Sequence, residues 1–233
     1  MTLVAADRLS GYPARRMRVL AIETSTSLAS VALVEGRRLV LSRAHVRPKQ
    51  SAERLLPMIA ELLAEAGWQR SDIERLGVSI GPGSFTGLRV GIACAQGLAL
   101  GLGVPLVGVT SLRAMARAVP EAIPGVRCPV LDARRREVFV GGYGPGPIAP
   151  EQLAPLAVPA EAATTILEAQ LTAPLVWVGS GLTLLGIPAS FSSAETEEPS
   201  AYAVGLLAEE LDPAEHPPIP VYVRDAGATL PRA

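Results

Sequence analysis

The chain is sparing with the residue types that hold metals or move protons. Its two histidines, His45 and His216, stand 171 positions apart, and Cys94 and Cys128 are its only cysteines. Two imidazoles converge on one ion when they lie one helical turn apart. Neither histidine has such a partner and the cysteines add no ligand cluster, so the sequence predicts no metal centre. A serine or metal peptidase would need a base or an ion beside its nucleophile, and no such arrangement is visible. His45, on a strand-like segment, reads as a surface or edge residue. Asp132 and Glu137 could form an acid–base pair across a turn that carries Arg134, Arg135 and Arg136. A solvated hairpin tip uses the same residue types for local hydrogen bonding, so both readings stay open. The arginine triplet could meet nucleic-acid phosphate, but no aromatic residues are interleaved with it and the formal net charge is −1. Strong autonomous nucleic-acid binding is not expected.

The most informative segment is Gly81-Pro82-Gly83-Ser84-Phe85-Thr86-Gly87-Leu88-Arg89-Val90-Gly91, a strand-to-helix junction in which Ser84 can cap the helix. Backbone N–H groups at such a junction suit anions. A Walker-type loop, however, ends in Gly-Lys-Ser/Thr, whereas Gly87 is followed by Leu88-Arg89, so triphosphate catalysis is not expected and no cofactor-binding residue is assigned. Gly87, Gly91 and Ala95 recur every four residues and share one helix face. Each glycine costs the helix about 1 kcal/mol relative to alanine, which calls for compensation. Either close packing within the fold or an association surface would supply it. The association reading makes Leu55, Met58, Ser84, Phe85, Gly87, Leu88 and Gly91 candidate partner-interface residues, with no catalytic residue. Gly179-Ser180-Gly181 is a bare Gly-x-Gly and supports no assignment.

These residues need elements to position them. At 233 residues and 49% hydrophobic content the chain can bury a substantial core, and with only 4% aromatics that core must be built from Ala, Val, Leu and Ile. Strand-like runs Arg18 to Ile22, Leu28 to Val34 and Arg38 to Ala44 precede a helix from Ser51 to Ala66, with Pro57 in its early turns and Gly67 at its end. A capping box, Ser71 to Glu74, and a strand from Leu76 to Ile80 follow. The uncharged run Val90 to Val109 is long enough to span a membrane. Gln96, Gly97, Gly101, Gly103 and Pro105 divide it instead into a helix ending near Leu100 and a strand, and no membrane association is expected. The second half restarts the pattern: strands at Arg127 to Leu131 and Glu137 to Tyr143, a loop-rich stretch from Pro147 to Pro159, a helix from Ala160 to Leu171, a strand at Leu175 to Val178 and a helix from Ala201 to Leu211. The expectation is an α/β protein of two tandem lobes, residues 17–118 and 119–224, with an extension at 1–16 and a tail at 225–233. Residues 1–137 carry 19 Lys+Arg against 11 Asp+Glu, while residues 138–223 hold ten acidic residues and no Lys or Arg. The first half is therefore the part that could attract phosphate or an acidic partner.

Five ordered motifs resemble the TsaB (YeaZ) family: Ile22-Glu23-Thr24-Ser25-Thr26, Glu53 to Ile59, the glycine-rich loop Gly81 to Gly91, Asp132-Ala133-Arg134 with Glu137-Val138-Phe139, and Pro220-Val221-Tyr222-Val223-Arg224. The resemblance implies the actin/Hsp70-like (ASKHA, ribonuclease H-like) fold in two tandem lobes. It also implies a cytoplasmic, non-catalytic role beside the homologous enzyme TsaD and the ATPase TsaE, which transfer threonylcarbamoyl to the adenosine 3′ of certain tRNA anticodons. A homodimer is implied when the partner is absent, with tRNA met only through the complex and with ATP/ADP and metal belonging to the partner proteins. Family members commonly show Asp where this chain has Glu23 and often His where it has Ser51; the longer Glu23 side chain speaks against nucleotide chemistry. The competing readings are a nucleotide-dependent phosphotransferase or hydrolase of the same fold, and a homodimeric regulatory binding module.

Overall fold

The computed structural model describes residues 16–46, 51–172 and 174–223, and every structural statement concerns these. The expected extension before Arg16 and the tail beyond Val223 lie outside the described residues.

Near-continuous apolar runs of strand length in both halves build two sheets. The first has the order β3-β2-β1-β4-β5, with β1 Arg18–Glu23, β2 Leu28–Glu35, β3 Arg38–Val46, β4 Arg75–Gly81 and β5 Leu106–Thr110. Hairpins join β1 to β3, and β4 and β5 are added in parallel after the helices α1 (Ser51–Ala66) and α2 (Phe85–Leu102), as parallel strands require a crossover. The second sheet, order β8-β7-β6-β9, repeats that scheme without a fifth strand: β6 Val126–Arg134, β7 Glu137–Tyr143, β8 Glu151–Pro159 and β9 Leu175–Val178, with α4 (Ala163–Gln170) before β9 and the short helices α5 (Leu182–Leu185) and α6 (Ala194–Glu197) after it. The two-lobed repeat expected from the sequence is thus present.

Both faces of the first sheet are covered. Leu20, Ile22, Leu76 and Val78 pack against Leu55, Ile59 and Leu62 of α1 and Leu88 and Ile92 of α2. Val19, Ala21, Ala32 and Val34 face the other way, onto α7 (Ala201–Glu210). This corrects the sequence-based boundary of the second lobe, because α7 follows β9 in the chain but packs on β1, β2 and β4 of the first sheet. Glycine makes the seat possible: a Cβ on Gly77 would stand 2.6 Å from the Ala208 Cβ, and one on Gly205 2.6 Å from Val34 Cγ2. Between the sheets lies α3 (Ser111–Ala118), which the sequence reading left unassigned; its Leu112 and Met115 pack with Leu131, Phe139 and Tyr143 of the second lobe.

Two further local differences have physical causes. The stretch Pro147 to Pro159, expected to be loop-rich, contains the edge strand β8, where Pro155 and Pro159 are tolerated because one side of the ladder is unpaired. The turn before β4 is a short helical turn at Arg70–Asp72, closed by the Gln69 N–H donating to the Asp72 carboxylate at 2.7 Å rather than by Ser71 and Glu74. Glu74 instead accepts the Arg18 N–H at 3.0 Å. The long apolar run resolves as expected into α2, the left-handed cap Gly103 (φ 68°) and β5. By length and composition α2 could cross a membrane, but Leu88, Ile92, Ala95 and Ala99 pack in the first-lobe core.

Candidate functional site: interlobe cleft and outer helix face

Structural duplication brings equivalent turns face to face. The β1–β2 turn (residues 24–27) and the β4–α2 loop form one wall of a cleft of about 1050 Å³, and the β6–β7 turn, with Ser180 and Glu198, forms the opposite wall. The first wall is tied together tightly. Glu23, buried at the end of β1, accepts the Ser25 N–H; the Ser84 N–H donates to the Ser25 carbonyl at 2.6 Å, and the Thr24 hydroxyl to the Gly87 carbonyl at 2.9 Å. A Cβ on Gly83 would lie 2.2 Å from the Ser25 carbonyl oxygen, so glycine is what lets the loop close onto the turn. Ser84 caps α2 by accepting the Gly87 N–H at 3.3 Å. The Ser25 hydroxyl, on a residue only 1% exposed, has no hydrogen-bond partner among the described residues although Ser25 lines the cleft.

On the opposite wall Asp132 accepts the Arg134 N–H at 2.7 Å and the Arg134 guanidinium at 3.1 Å. Its carboxylate therefore serves its own turn, the local role weighed against acid–base chemistry. Arg134, Arg135 and Arg136 all have positive φ, of 65°, 57° and 61°. A left-handed L-residue costs about 1–2 kcal/mol, so this exposed hairpin tip is strained. Ser180 donates to Glu198 Oε1 at 2.8 Å, while Glu198 Oε2 is buried without a hydrogen-bond partner among the described residues. Gly179-Ser180-Gly181 is a bare Gly-x-Gly in sequence, yet a Cβ on Gly179 would stand 2.1 Å from the Val130 carbonyl oxygen and the Gly181 N–H donates to that oxygen at 3.0 Å. Both glycines seat the segment on β6, a role no Gly-x-Gly count could reveal.

At the mouth of the cleft Phe85 and Tyr222 stack with ring centroids 5.2 Å apart, and the Arg89 guanidinium lies 3.7 Å from the Phe85 centroid. The segment that carries Tyr222 is held along the first lobe by Gly108 N–H to the His216 carbonyl at 2.8 Å and Val221 N–H to the Ile80 carbonyl at 2.7 Å. His216 Nε2 meets the Arg113 guanidinium at 3.0 Å, so it accepts, leaving Nδ1–H to donate to the Asp212 carbonyl at 3.1 Å. Burial lowers the Arg113 pKa, and it raises that of Tyr143, whose hydroxyl lies 3.3 Å from Thr110 Oγ1. His45 lies exposed on β3. Among the described residues no three His, Cys, Asp or Glu converge on a point that could hold a metal.

The seven candidate interface residues divide. Leu55, Met58, Gly87, Leu88 and Gly91 are buried inside the chain, where the first four-residue stripe of α2 meets β1 and its turn. Their burial corrects the interface reading at these positions: close packing within the fold accounts for the small residues. Ser84 and Phe85 are exposed. On the opposite face of α2, Arg89, Ala93 and Gly97 form a second series at the same spacing, joined by Leu100 at 86% exposure; nothing lies within 4 Å of a Cβ built on Gly97 or Gly101. Leu56 is a second exposed leucine, at 54%, on the neighbouring helix α1. The sequence held the signal in the spacing of Ala93, Gly97 and Gly101, but those glycines read as interruptions of an apolar run.

Residues 44–160 match the family model described as TsaD, tRNA N6-adenosine threonylcarbamoyltransferase. The chain is 41% identical over 128 residues to the tRNA threonylcarbamoyladenosine biosynthesis protein TsaB of Escherichia coli K12, a match covering 54% of this chain and 55% of that protein. The chain thus spans about half the length of the curated relatives it matches. Its structure resembles YeaZ from Pseudomonas aeruginosa at a TM-score of 0.69 and 31% identity, covering 88% of this chain and 99% of the other. A more distant likeness, to the activator of the 2-hydroxyisocaproyl-CoA dehydratase from Clostridium difficile, has a TM-score of 0.51 at 11% identity, covers 85% of this chain and 96% of the other, and concerns the fold alone.

Proposed function

The chain belongs to the TsaB (YeaZ) family, within the wider family that the threonylcarbamoyltransferase model describes, and on that premise we propose that it acts in tRNA threonylcarbamoyladenosine biosynthesis as a non-catalytic scaffold and activator of TsaD. The observation that carries the reading is the open face of α1 and α2. Leu56 and Leu100 project from it, while Ala93, Gly97 and Gly101 leave a shallow track on which a helix of a homologous lobe can lie close. Burying two leucines against such a partner stabilises the pair by about 1.5–3 kcal/mol each. In this reading a second copy takes the face when TsaD is absent, TsaE joins through the complex, and tRNA is modified only in the assembled state. Catalytic metal and ATP/ADP belong to the partners, this chain contributing no cofactor of its own, and the complex works in the cytoplasm.

The test is threonylcarbamoylation of tRNA with cognate TsaD, TsaE, threonylcarbamoyl-adenylate and ATP, with and without this chain, and with this chain alone. Modified adenosine formed only when all three proteins are present supports the scaffold. Product formed equally without the chain removes it from the reaction, and product formed by the chain alone makes it an enzyme.

A further inference from the structure

The β6–β7 tip is built against the preference of its own residues. A hairpin turn with positive φ ordinarily recruits Asn or Gly, and the β2–β3 turn does place Gly36 (φ 55°) before Arg37. The β6–β7 turn has arginine at three consecutive positions instead. Arg135 and Arg136 are exposed, and neither has an ion-pair partner among the described residues. Bonds from Arg134 to Asp132 and from the Ala160 N–H to the Arg136 carbonyl at 3.0 Å hold the backbone of the tip in this conformation while the Arg135 and Arg136 side chains stay exposed, and strain kept at an exposed position is characteristic of binding sites.

Arg134 lines the cleft whose other lip carries the Phe85–Tyr222 stack. Those rings are 40% and 45% exposed, and Arg89 over Phe85 likewise has no ion-pair partner among the described residues. No aromatics are interleaved with the arginines in sequence; the fold brings them to the same cleft. On the two walls, the Ser25 hydroxyl and Glu198 Oε2 are buried polar atoms without hydrogen-bond partners among the described residues. A carboxylate accepts hydrogen bonds from hydroxyls and repels phosphate, so these walls suit a sugar while the arginine lips suit phosphate.

We infer that this cleft mouth binds an unpaired nucleotide within a single strand of RNA. The base stacks on the Phe85–Tyr222 platform, Arg89 and the exposed Arg135 and Arg136 hold the flanking phosphates, and Glu198 accepts a ribose hydroxyl. A duplex is excluded because its bases are already stacked. The inference needs only that RNA is the ligand; the proposed role in tRNA modification names which RNA, and each can fail without the other.

The experiment is fluorescence anisotropy of the full chain with a labelled eight-nucleotide RNA of mixed sequence. Parallel arms use the same sequence as DNA, an RNA duplex, and competition by AMP or a polyglutamate peptide. The RNA strand is expected to bind several-fold more tightly than DNA and at least tenfold more tightly than duplex. Phe85→Ala and Tyr222→Ala should each weaken it by about 5- to 100-fold. The double variant Arg135→Asn/Arg136→Gly relieves the turn, so it should raise Tm while weakening RNA binding and flattening its logarithmic salt slope by about 1.4. A turn with a purely structural role would not show gain of stability together with loss of binding. Glu198→Gln should reduce the preference for RNA over DNA. Equal affinity in the folded variants, equal binding of duplex, displacement of the strand by AMP or polyglutamate at equivalent concentration, or no binding by any strand would overturn the inference.

Discussion

Thr24 and Gly91 lock the β1–β2 turn against α2: a Cβ on Gly91 would stand 2.0 Å from Thr24 Oγ1, the hydroxyl that donates to the Gly87 carbonyl. Thr24 is buried and its hydroxyl is hydrogen-bonded, so it has no free rotamer into which to retreat. Gly91→Ala is therefore expected to destabilise the fold by about 1–3 kcal/mol despite alanine's better helix propensity. Thr24→Ala removes the obstructing oxygen, so the double variant should be more stable than the sum of the single changes predicts. Urea denaturation of all four proteins measures the coupling, and strict additivity would refute the lock.

Gly97 lies on the same helix with open space around it and gives the opposite sign. Gly97→Ala should stabilise the isolated chain by up to about 1 kcal/mol, through helix propensity alone. Gly77→Ala is the contrasting case, because its new methyl meets Ala208 and must lift α7 from the sheet. Thermal unfolding should show Tm rising for Gly97→Ala and falling for Gly77→Ala; a fall for both would show that the outer face is already covered in solution.

Much of this architecture is legible in the sequence because it is local. The short apolar run Val19 to Ile22, the Ser84 cap and the four-residue periodicity of α1 each require only neighbouring residues to be read. What escapes is long-range. Nothing near Ala201 says that α7 crosses to the first sheet, since the reason lies at Gly77, far away in the chain. Likewise Gly91 and Gly97 have the same local chemistry, and only the position of Thr24 decides that one faces inward. The cleft is legible by motif but not by geometry: Phe85 and Tyr222 belong to separate motifs, and their stacking emerges from how the segment after His216 runs past Ile80.

Burial sets the alkaline limit of stability. The Cys128 thiol is fully buried in the second-lobe core, which pushes its pKa from 9.0 up to about 12, and burial raises Tyr143 in the same direction. Both groups keep their protons in the folded state where the unfolded chain has lost them. Their contribution is fully present below pH 9 and is lost as pH rises from 9 towards 12, because the unfolded state then binds fewer protons than the native one. Denaturation midpoints across this range should fall with pH, and Cys128→Ala should flatten part of that slope. A thiol reagent at pH 8 should modify half-buried Cys94 before Cys128; simultaneous modification would mean that the second lobe opens readily.

The outer face of α1 and α2 carries the association reading, and a charge placed there separates folding from assembly. Leu100 and Leu56 project into solvent, so Leu100→Glu and Leu56→Glu should leave the monomer's Tm nearly unchanged, within about 0.5 kcal/mol of stability. Buried against a partner helix, the same carboxylates would meet an apolar surface with no compensating hydrogen bond, and affinity should fall by at least about tenfold. Light scattering of the chain alone and co-purification with TsaD read the two assemblies separately. Loss in both would place the second copy and the enzyme on one shared face, making the homodimer a competitor of the active complex. Loss of the homodimer alone would assign TsaD a different surface, and full retention of both would remove α1 and α2 from assembly altogether.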